Sequence, residues 1–156
     1  MAMDYVLGVD VGTGGTRAVL VDRSGAIVSS ATSEHLPFAS PKIGWAEQDP
    51  RDWHKAAGSA IREAISSAGI SAANIKSAGL AGQMHGAVLL DQNDEALRPS
   101  LIWCDQRTQE QCDWLNAKLG EARIIELTSN PALTNFTLTK LLWVRDNEPE
   151  IWKRFR

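Results

Sequence analysis

The chain has 156 residues, 44% hydrophobic and 22% charged, which is enough apolar material for one packed unit of ordinary size. Its net charge is −3, and its basic residues form no stripe of the kind that binds phosphate backbones. We therefore do not expect nucleic acid as a partner. Residues 1–5 lack the pattern of a signal peptide, and no apolar run approaches the ~18 residues of a membrane span. We therefore expect a cytoplasmic protein that does not bind membranes, with Cys104 and Cys112 reduced.

The first thirty or so residues predict an antiparallel meander of three strands. Tyr5–Val11 is rich in β-branched and apolar residues. A glycine-rich turn follows, and a strand pattern resumes from residue 16 to 21. A second turn at residues 22–25 leads to a third strand over 26–32.

A long helix and several shorter elements follow the meander. Asp49 and Pro50 predict a helix start, an apolar stripe continues to Ala68, and Gly69 predicts the end. The stripe should pack on the meander and on a strand at 75–81, whose small residues suit a strand covered on both faces. The remaining pattern predicts a short strand at 87–91, an apolar segment at 101–103, helices at 108–119 and 137–144, and a last segment after Pro149. We expect one α/β domain over residues 1–156, itself incomplete.

The segment from Val9 to Arg17 holds three glycines within four positions, between two predicted strands. Backbone N–H groups in such a turn can converge on an anion. Thr13 adds a hydroxyl and Arg17 a positive charge, whereas Asp10 would repel phosphate unless hydrated Mg²⁺ lay between them. The segment lacks the Gly-Lys pair of a P-loop and the following helix of a dinucleotide fingerprint. It indicates a site for a metal-complexed nucleotide, although an ordinary glycine-rich hairpin accounts for the pattern about as well.

A second polar segment, Gly79-Leu80-Ala81-Gly82-Gln83-Met84-His85-Gly86, lies between two predicted strands. Ligands of such sheets often bind at strand ends, and Gln83 and His85 can both donate and accept hydrogen bonds, as sugar hydroxyls require. A histidine of this kind is also common as a hydrogen-bonded core residue. Asp105 and Arg107 more often form a structural pair than a catalytic one, and we assign no function to His35 or His54.

The motif Asp10-Val11-Gly12-Thr13-Gly14-Gly15-Thr16-Arg17 resembles the first phosphate loop of the actin/hexokinase/Hsp70 superfamily and, within it, of the sugar kinases called the FGGY family. Further segments resemble landmarks of that family in the same order: Gly44–Pro50, Ile102–Arg107 and Lys140–Trp143. The resemblance implies a ribonuclease H-like α/β fold, in which a mixed sheet is flanked by helices, and identifies residues 1–156 with part of the N-terminal lobe of a two-lobed kinase.

The resemblance also implies roles for particular residues. Asp10 would position Mg²⁺ through water, and the β- and γ-phosphates of ATP would face Gly12, Thr13, Gly14 and Arg17. Many relatives have serine and lysine at the last two of these positions. The segment Gly82-Gln83-Met84-His85-Gly86 is similar to the one by which xylulose kinases contact the ketose. This implies a sugar site formed by Gln83, Met84, His85 and, at a looser match, Asn135.

The activity implied is transfer of a phosphoryl group from ATP, with Mg²⁺, to D-xylulose, giving D-xylulose 5-phosphate. The catalytic base of the family is an aspartate beyond residue 156, so we expect no catalytic residue in this chain and no activity from these residues alone. Relatives are commonly homodimers. Two alternatives stay open: an FGGY kinase for gluconate, ribulose, fuculose or glycerol, and a non-catalytic actin-like ATPase module.

Overall fold

The structure, a computed structural model, describes residues 4–155. It contains six strands, five α-helices and a short 3₁₀ turn at Ala72–Asn74 within those residues. The strands are β1 (Tyr5–Val11), β2 (Gly15–Asp22), β3 (Ile27–Glu34), β4 (Glu47–Gln48), β5 (Ile75–Gly82) and β6 (Ser100–Leu101). The helices are α1 (Pro50–Ala68), α2 (Gln109–Leu119), α3 (Glu121–Thr128), α4 (Thr137–Asn147) and α5 (Pro149–Arg154). None of these helices is long and apolar enough to cross a membrane.

The described part of the chain forms two compact units. The first consists of the residues up to Pro37 together with Arg51–Gln83, and the second of Phe38–Pro50 together with the residues from Met84 onward.

The first unit is built on a four-stranded mixed sheet in the order β3-β2-β1-β5. The predicted meander is confirmed, because β2 pairs antiparallel with both β1 and β3. β5 pairs parallel with β1, and α1 lies between β3 and β5 in the sequence. This mixed sheet with helices is the expected fold class.

One face of the sheet is buried beneath α1. Side chains of β1 alternate in burial, with Tyr5, Leu7 and Val9 inside, as the period of two in a half-buried strand requires. They pack in one cluster with Ala18, Leu20, Ala60 and Ala64. The small alanines of α1 let the helix approach the sheet closely. Complete burial of a side chain such as Leu20 contributes about 1.5–3 kcal/mol.

The structure corrects three details of the predicted elements. β5 is not covered on both faces: it is the last strand of the sheet, and Leu80 is 83% exposed within the described residues. The segment at 87–91 forms no strand and pairs only through isolated bridges at Ala87 and Leu90. The helix α3 was not predicted, because Gly120 stops α2 and starts α3 with no loop between them.

The second unit has a core of its own. Leu89, Leu101 and Val144 are fully buried in a cluster with Ala87 and Trp143. A two-stranded antiparallel pairing of β4 with β6 lies beside it. Residues of α4 and of the end of the chain pack against this core, and Ile151, Trp152 and Phe155 are partly buried there.

Candidate functional site

The glycine-rich segment forms a tight turn between β1 and β2. The amide of Gly12 donates to the carbonyl of Gly15 at 3.0 Å, and the amide of His35 donates to the carbonyl of Gly14 at 3.0 Å. None of the three glycines has a positive φ. Two of them are needed for space: a Cβ on Gly15 would lie 2.9 Å from the carbonyl oxygen of Ser33, and one on Gly12 would lie 3.3 Å from that of Gly15.

This crowding predicts unequal effects of alanine at neighbouring glycines. Gly15→Ala should lower the free energy of unfolding by about 1–3 kcal/mol, because the new methyl group meets backbone that must move. Gly14→Ala is the matched control, since a Cβ there meets nothing within 4 Å. Urea unfolding of both variants measures the difference. Equal stability of the two would contradict the steric reason.

A buried histidine, His35, contacts the turn. Nε2 of His35 lies 2.8 Å from Oγ1 of Thr16, and both residues are buried. With the backbone bond to Gly14, His35 is attached to the turn at two points. No function was assigned to His35 from the sequence. His35 directly follows β3, whose last residue, Glu34, pairs with Gly15, and the sequence pattern does not reveal this register.

Asp10 and Arg17 share the open face of the sheet near the turn. Asp10 and Arg17 are directly opposite each other in the β1–β2 register, and both are exposed. They line a depression of about 370 Å³ together with small residues of β1 and β5, among them Gly8, Gly79 and Ala81.

Asp10 and Arg17 are the residues of this depression that could hold hydrated Mg²⁺ and a phosphate. Mg²⁺ keeps several waters and binds through one or two carboxylates plus substrate phosphates, so a single exposed Asp10 fits it. Within residues 4–155 no cluster of three His, Cys, Asp or Glu side chains could enclose a metal by itself. Arg17 supplies the positive charge that a phosphate needs.

The polar segment after β5 begins beside the turn. The amide of Gln83 donates to the carbonyl of Val11 at 2.8 Å. The hydroxyl of Thr13 donates to Oε1 of Gln83 at 3.4 Å. Gln83 is therefore adjacent to the candidate phosphate loop, and Met84 follows it in the chain.

The other predicted sugar contacts lie in the second unit. His85 has a φ of 61°, the left-handed conformation, and its ring packs edge-on against Phe136 with centroids 4.6 Å apart. Asn135 is half-buried directly before Phe136, and Met84 is 64% exposed. A cavity of about 220 Å³ lies beside His85 and Phe136, with a mainly apolar lining that includes Leu115, Ile124, Leu133 and Leu138.

A buried lysine connects these segments. Nζ of Lys140 donates to the carbonyls of His85 at 2.8 Å, Ile102 at 2.8 Å and Asn135 at 2.9 Å. Its side chain is fully buried, and burial lowers its pKa to about 8. From the sequence, Lys140 was identified only as part of a segment that resembles a family landmark. Its position among the apolar residues of α4 could have indicated a buried lysine, and a buried lysine needs hydrogen-bond partners.

Asp105 and Arg107 form a buried ion pair. The carboxylate accepts from Nε of Arg107 at 3.0 and 2.9 Å, from Nη2 at 2.7 Å, and from the amide of Ala46 at 2.7 Å. The guanidinium lies 3.6 Å from the ring centroid of Trp45 and 4.8 Å from that of Trp143. Glu47 adds a second carboxylate 2.8 Å from Arg107. The Asp105 carboxylate and the Arg107 guanidinium are therefore each other's main partners.

Both cysteines are free thiols. Burial raises the pKa of Cys104 and of Cys112, so both stay protonated and are poor nucleophiles.

Comparison with known proteins yields one family. The model of the FGGY family of carbohydrate kinases, N-terminal domain, matches residues 5–156. The chain is 39% identical to the xylulose kinase of Bacillus subtilis over 152 residues, which are 97% of this chain and 30% of the relative. The chain thus spans about 30% of the length of such relatives.

Solved structures agree with this result. The crystal structure of a xylulose kinase from Brucella ovis matches with a TM-score of 0.90 at 38% identity, covering 97% of this chain and 31% of that one. A gluconate kinase from Lactobacillus acidophilus matches with a TM-score of 0.88 at 27% identity, covering 98% of this chain and 30% of that one.

Proposed function

Because the chain belongs to the FGGY family of carbohydrate kinases, we propose that the whole protein transfers the γ-phosphoryl group of ATP to D-xylulose, giving D-xylulose 5-phosphate. The observation that carries this proposal is the bond from the amide of Gln83 to the carbonyl of Val11. It places the start of the segment that resembles a ketose-binding motif against the segment that resembles a phosphate loop.

We propose that the turn holds the terminal phosphates of ATP. Thr13 and Gly14 stand at its tip and Arg17 supplies a positive charge nearby. The amide of Gly12 already donates within the turn, so its contribution would be the space that its missing side chain leaves. Asp10 would hold the waters of Mg²⁺, which neutralises phosphate charge when bound.

The sugar would be held by Gln83, Met84, His85 and Asn135. Imidazole and amide groups can both donate to and accept from hydroxyls, and an exposed methionine offers an apolar surface to the carbon chain. Phosphoryl transfer needs positioning and charge neutralisation, together with a carboxylate that takes the proton of the attacking hydroxyl. As the family resemblance implies, that carboxylate would lie beyond residue 156, so residues 1–156 would supply binding but no catalytic base.

A panel of acceptors tests the substrate. The whole protein, with ATP and Mg²⁺, should phosphorylate D-xylulose with a higher kcat/KM than gluconate, ribulose, fuculose or glycerol. The same assay on purified residues 1–156 should give no turnover above a control preparation. Preference for another acceptor would favour a different sugar kinase of the family, as the likeness to a gluconate kinase allows. ATP hydrolysis coupled to assembly, without dependence on any sugar, would favour an actin-like ATPase module.

We further propose that the whole protein is a cytoplasmic homodimer that binds neither nucleic acid nor membrane. The net charge of −3 without a basic stripe supports the absence of a nucleic-acid partner, and the homodimer is what the family resemblance implies. Light scattering during size-exclusion chromatography measures the oligomeric state, and a monomer at micromolar concentration would contradict the dimer.

A further inference from the structure

Lys140 is the charged side chain of α4 that is fully withdrawn from solvent. An ammonium group has three N–H donors, and Lys140 directs them at three backbone carbonyls, those of His85, Ile102 and Asn135. A buried charge without such compensation would be costly. The three acceptors come from three different segments, so a single group ties those segments together.

Two of these segments carry residues that we place in the sugar site. The carbonyl of His85 belongs to a residue whose φ of 61° is unusual for a side chain larger than glycine, so its backbone needs support. The carbonyl of Asn135 belongs to the loop directly before α4. Neither carbonyl is part of a regular helix or strand that would hold it in place.

We infer that Lys140 is a positioning residue of the sugar site: its ammonium group holds the backbone of His85 and of Asn135, and thereby aims both side chains at the acceptor. This inference rests on the proposed function. Lys140 itself, being fully buried behind the carbonyls it binds, would not touch the sugar.

The inference predicts that the KM for sugar depends on pH. The pKa of Lys140 is lowered to about 8, mainly by burial; Asp105 and Cys104 oppose this decrease, and Arg107 contributes to it. Above about pH 8 the group becomes a neutral amine with two N–H donors for three carbonyls. The KM for sugar should therefore rise as the pH passes 8, while the KM for ATP stays within about twofold.

The free energy of unfolding should increase over the pH range in which sugar binding weakens. The folded protein releases the proton of Lys140 near pH 8, whereas the unfolded chain holds it to about pH 10.4. The unfolded state therefore binds more protons between these values, and the contribution of Lys140 to stability increases with pH across this window. A lysine with a purely structural role would produce this increase in stability without the rise in the KM for sugar.

The test uses the whole protein and the variant Lys140→Met, with His85→Ala as the reference for a direct sugar contact. We expect the KM for D-xylulose of Lys140→Met to rise about tenfold or more at pH 7, corresponding to 1.4 kcal/mol per factor of ten, with the KM for ATP within twofold. The rise of the sugar KM near pH 8 should vanish in this variant. Val144→Ala is the matched control, because Val144 is fully buried one turn further along α4. It should lower the melting temperature and leave the sugar KM unchanged.

The outcomes separate the two proposals. If the unmodified protein phosphorylates no sugar of the panel, the proposed function fails. If it does, and Lys140→Met is folded with an unchanged sugar KM, the positioning role is overturned and the function stands. If Lys140→Met does not fold, the pH dependence of the unmodified protein is the test. A KM for sugar that is constant from pH 7 to 9.5 overturns the inference. A KM for sugar that rises while the KM for ATP stays within about twofold supports it.

Discussion

Replacing Asp105 by alanine is expected to lower the free energy of unfolding by about 3–5 kcal/mol, because it leaves a buried guanidinium without its main partner. The side chain of Asp105 is fully buried and that of Arg107 is 1% exposed. The carboxylate also accepts from the amide of Ala46, so this donor too would lose its partner. Glu47 remains near Arg107 but is shared with Arg98. Urea or thermal unfolding measures the loss.

An exposed ion pair of similar length provides the control. Glu150 and Lys153 on α5 lie 2.6 Å apart, but their side chains are 82% and 69% exposed. Glu150→Ala should therefore cost no more than about 1 kcal/mol. A loss below 1 kcal/mol for Asp105→Ala, indistinguishable from this control, would mean that the Asp105–Arg107 pair contributes to stability no more than a surface contact.

Replacing Asp10 by asparagine is expected to reduce kcat of the whole protein about 100- to 1000-fold, which is typical for loss of one preorganised electrostatic group. The amide keeps the size of the carboxylate and removes the charge that would order the waters of Mg²⁺. The concentration of Mg²⁺ that gives half the maximal rate should rise as well. Asp10 is exposed on the open face of the sheet, so the melting temperature should change little.

Glu63→Gln is the matched control for charge, because Glu63 is an exposed carboxylate of α1 in the same unit. Steady-state kinetics at several Mg²⁺ concentrations compare the two variants. If Asp10→Asn retains more than a third of the normal kcat with an unchanged Mg²⁺ requirement, the proposed metal site at Asp10 is wrong.

Most of the first unit could be predicted from local pattern. The meander could be predicted without any knowledge of tertiary contacts. The pattern that predicts it is the alternation of Tyr5, Leu7 and Val9, together with the turn residues that follow. The boundaries of α1 were predicted because a proline and a glycine stand at its two ends. The exposure of β5 could not be predicted in this way, because small residues suit either a closely covered strand or an open one.

The candidate site was predicted only where glycines and polar residues interrupt a strand. The turn around Gly12 and the segment at Gln83 are visible as such interruptions. Their adjacency depends on the parallel pairing of β1 with β5, two strands far apart in the sequence, and periodicity does not determine which strands pair. His35 and Lys140 were missed for the same reason: their partners are Thr16 and three carbonyls on distant segments, and a hydrogen bond leaves no periodic trace.

The left-handed backbone at His85 restricts how acceptor preference at this position can be changed. A library at position 85 varies side-chain chemistry, but the φ of 61° applies to every replacement. Asparagine, aspartate and glycine tolerate that geometry, whereas valine, isoleucine or threonine would be strained by about 1–2 kcal/mol before contacting any substrate. Directed evolution of the pocket should therefore recover few branched residues there, and new specificities should arise at neighbouring positions whose backbone is extended or helical.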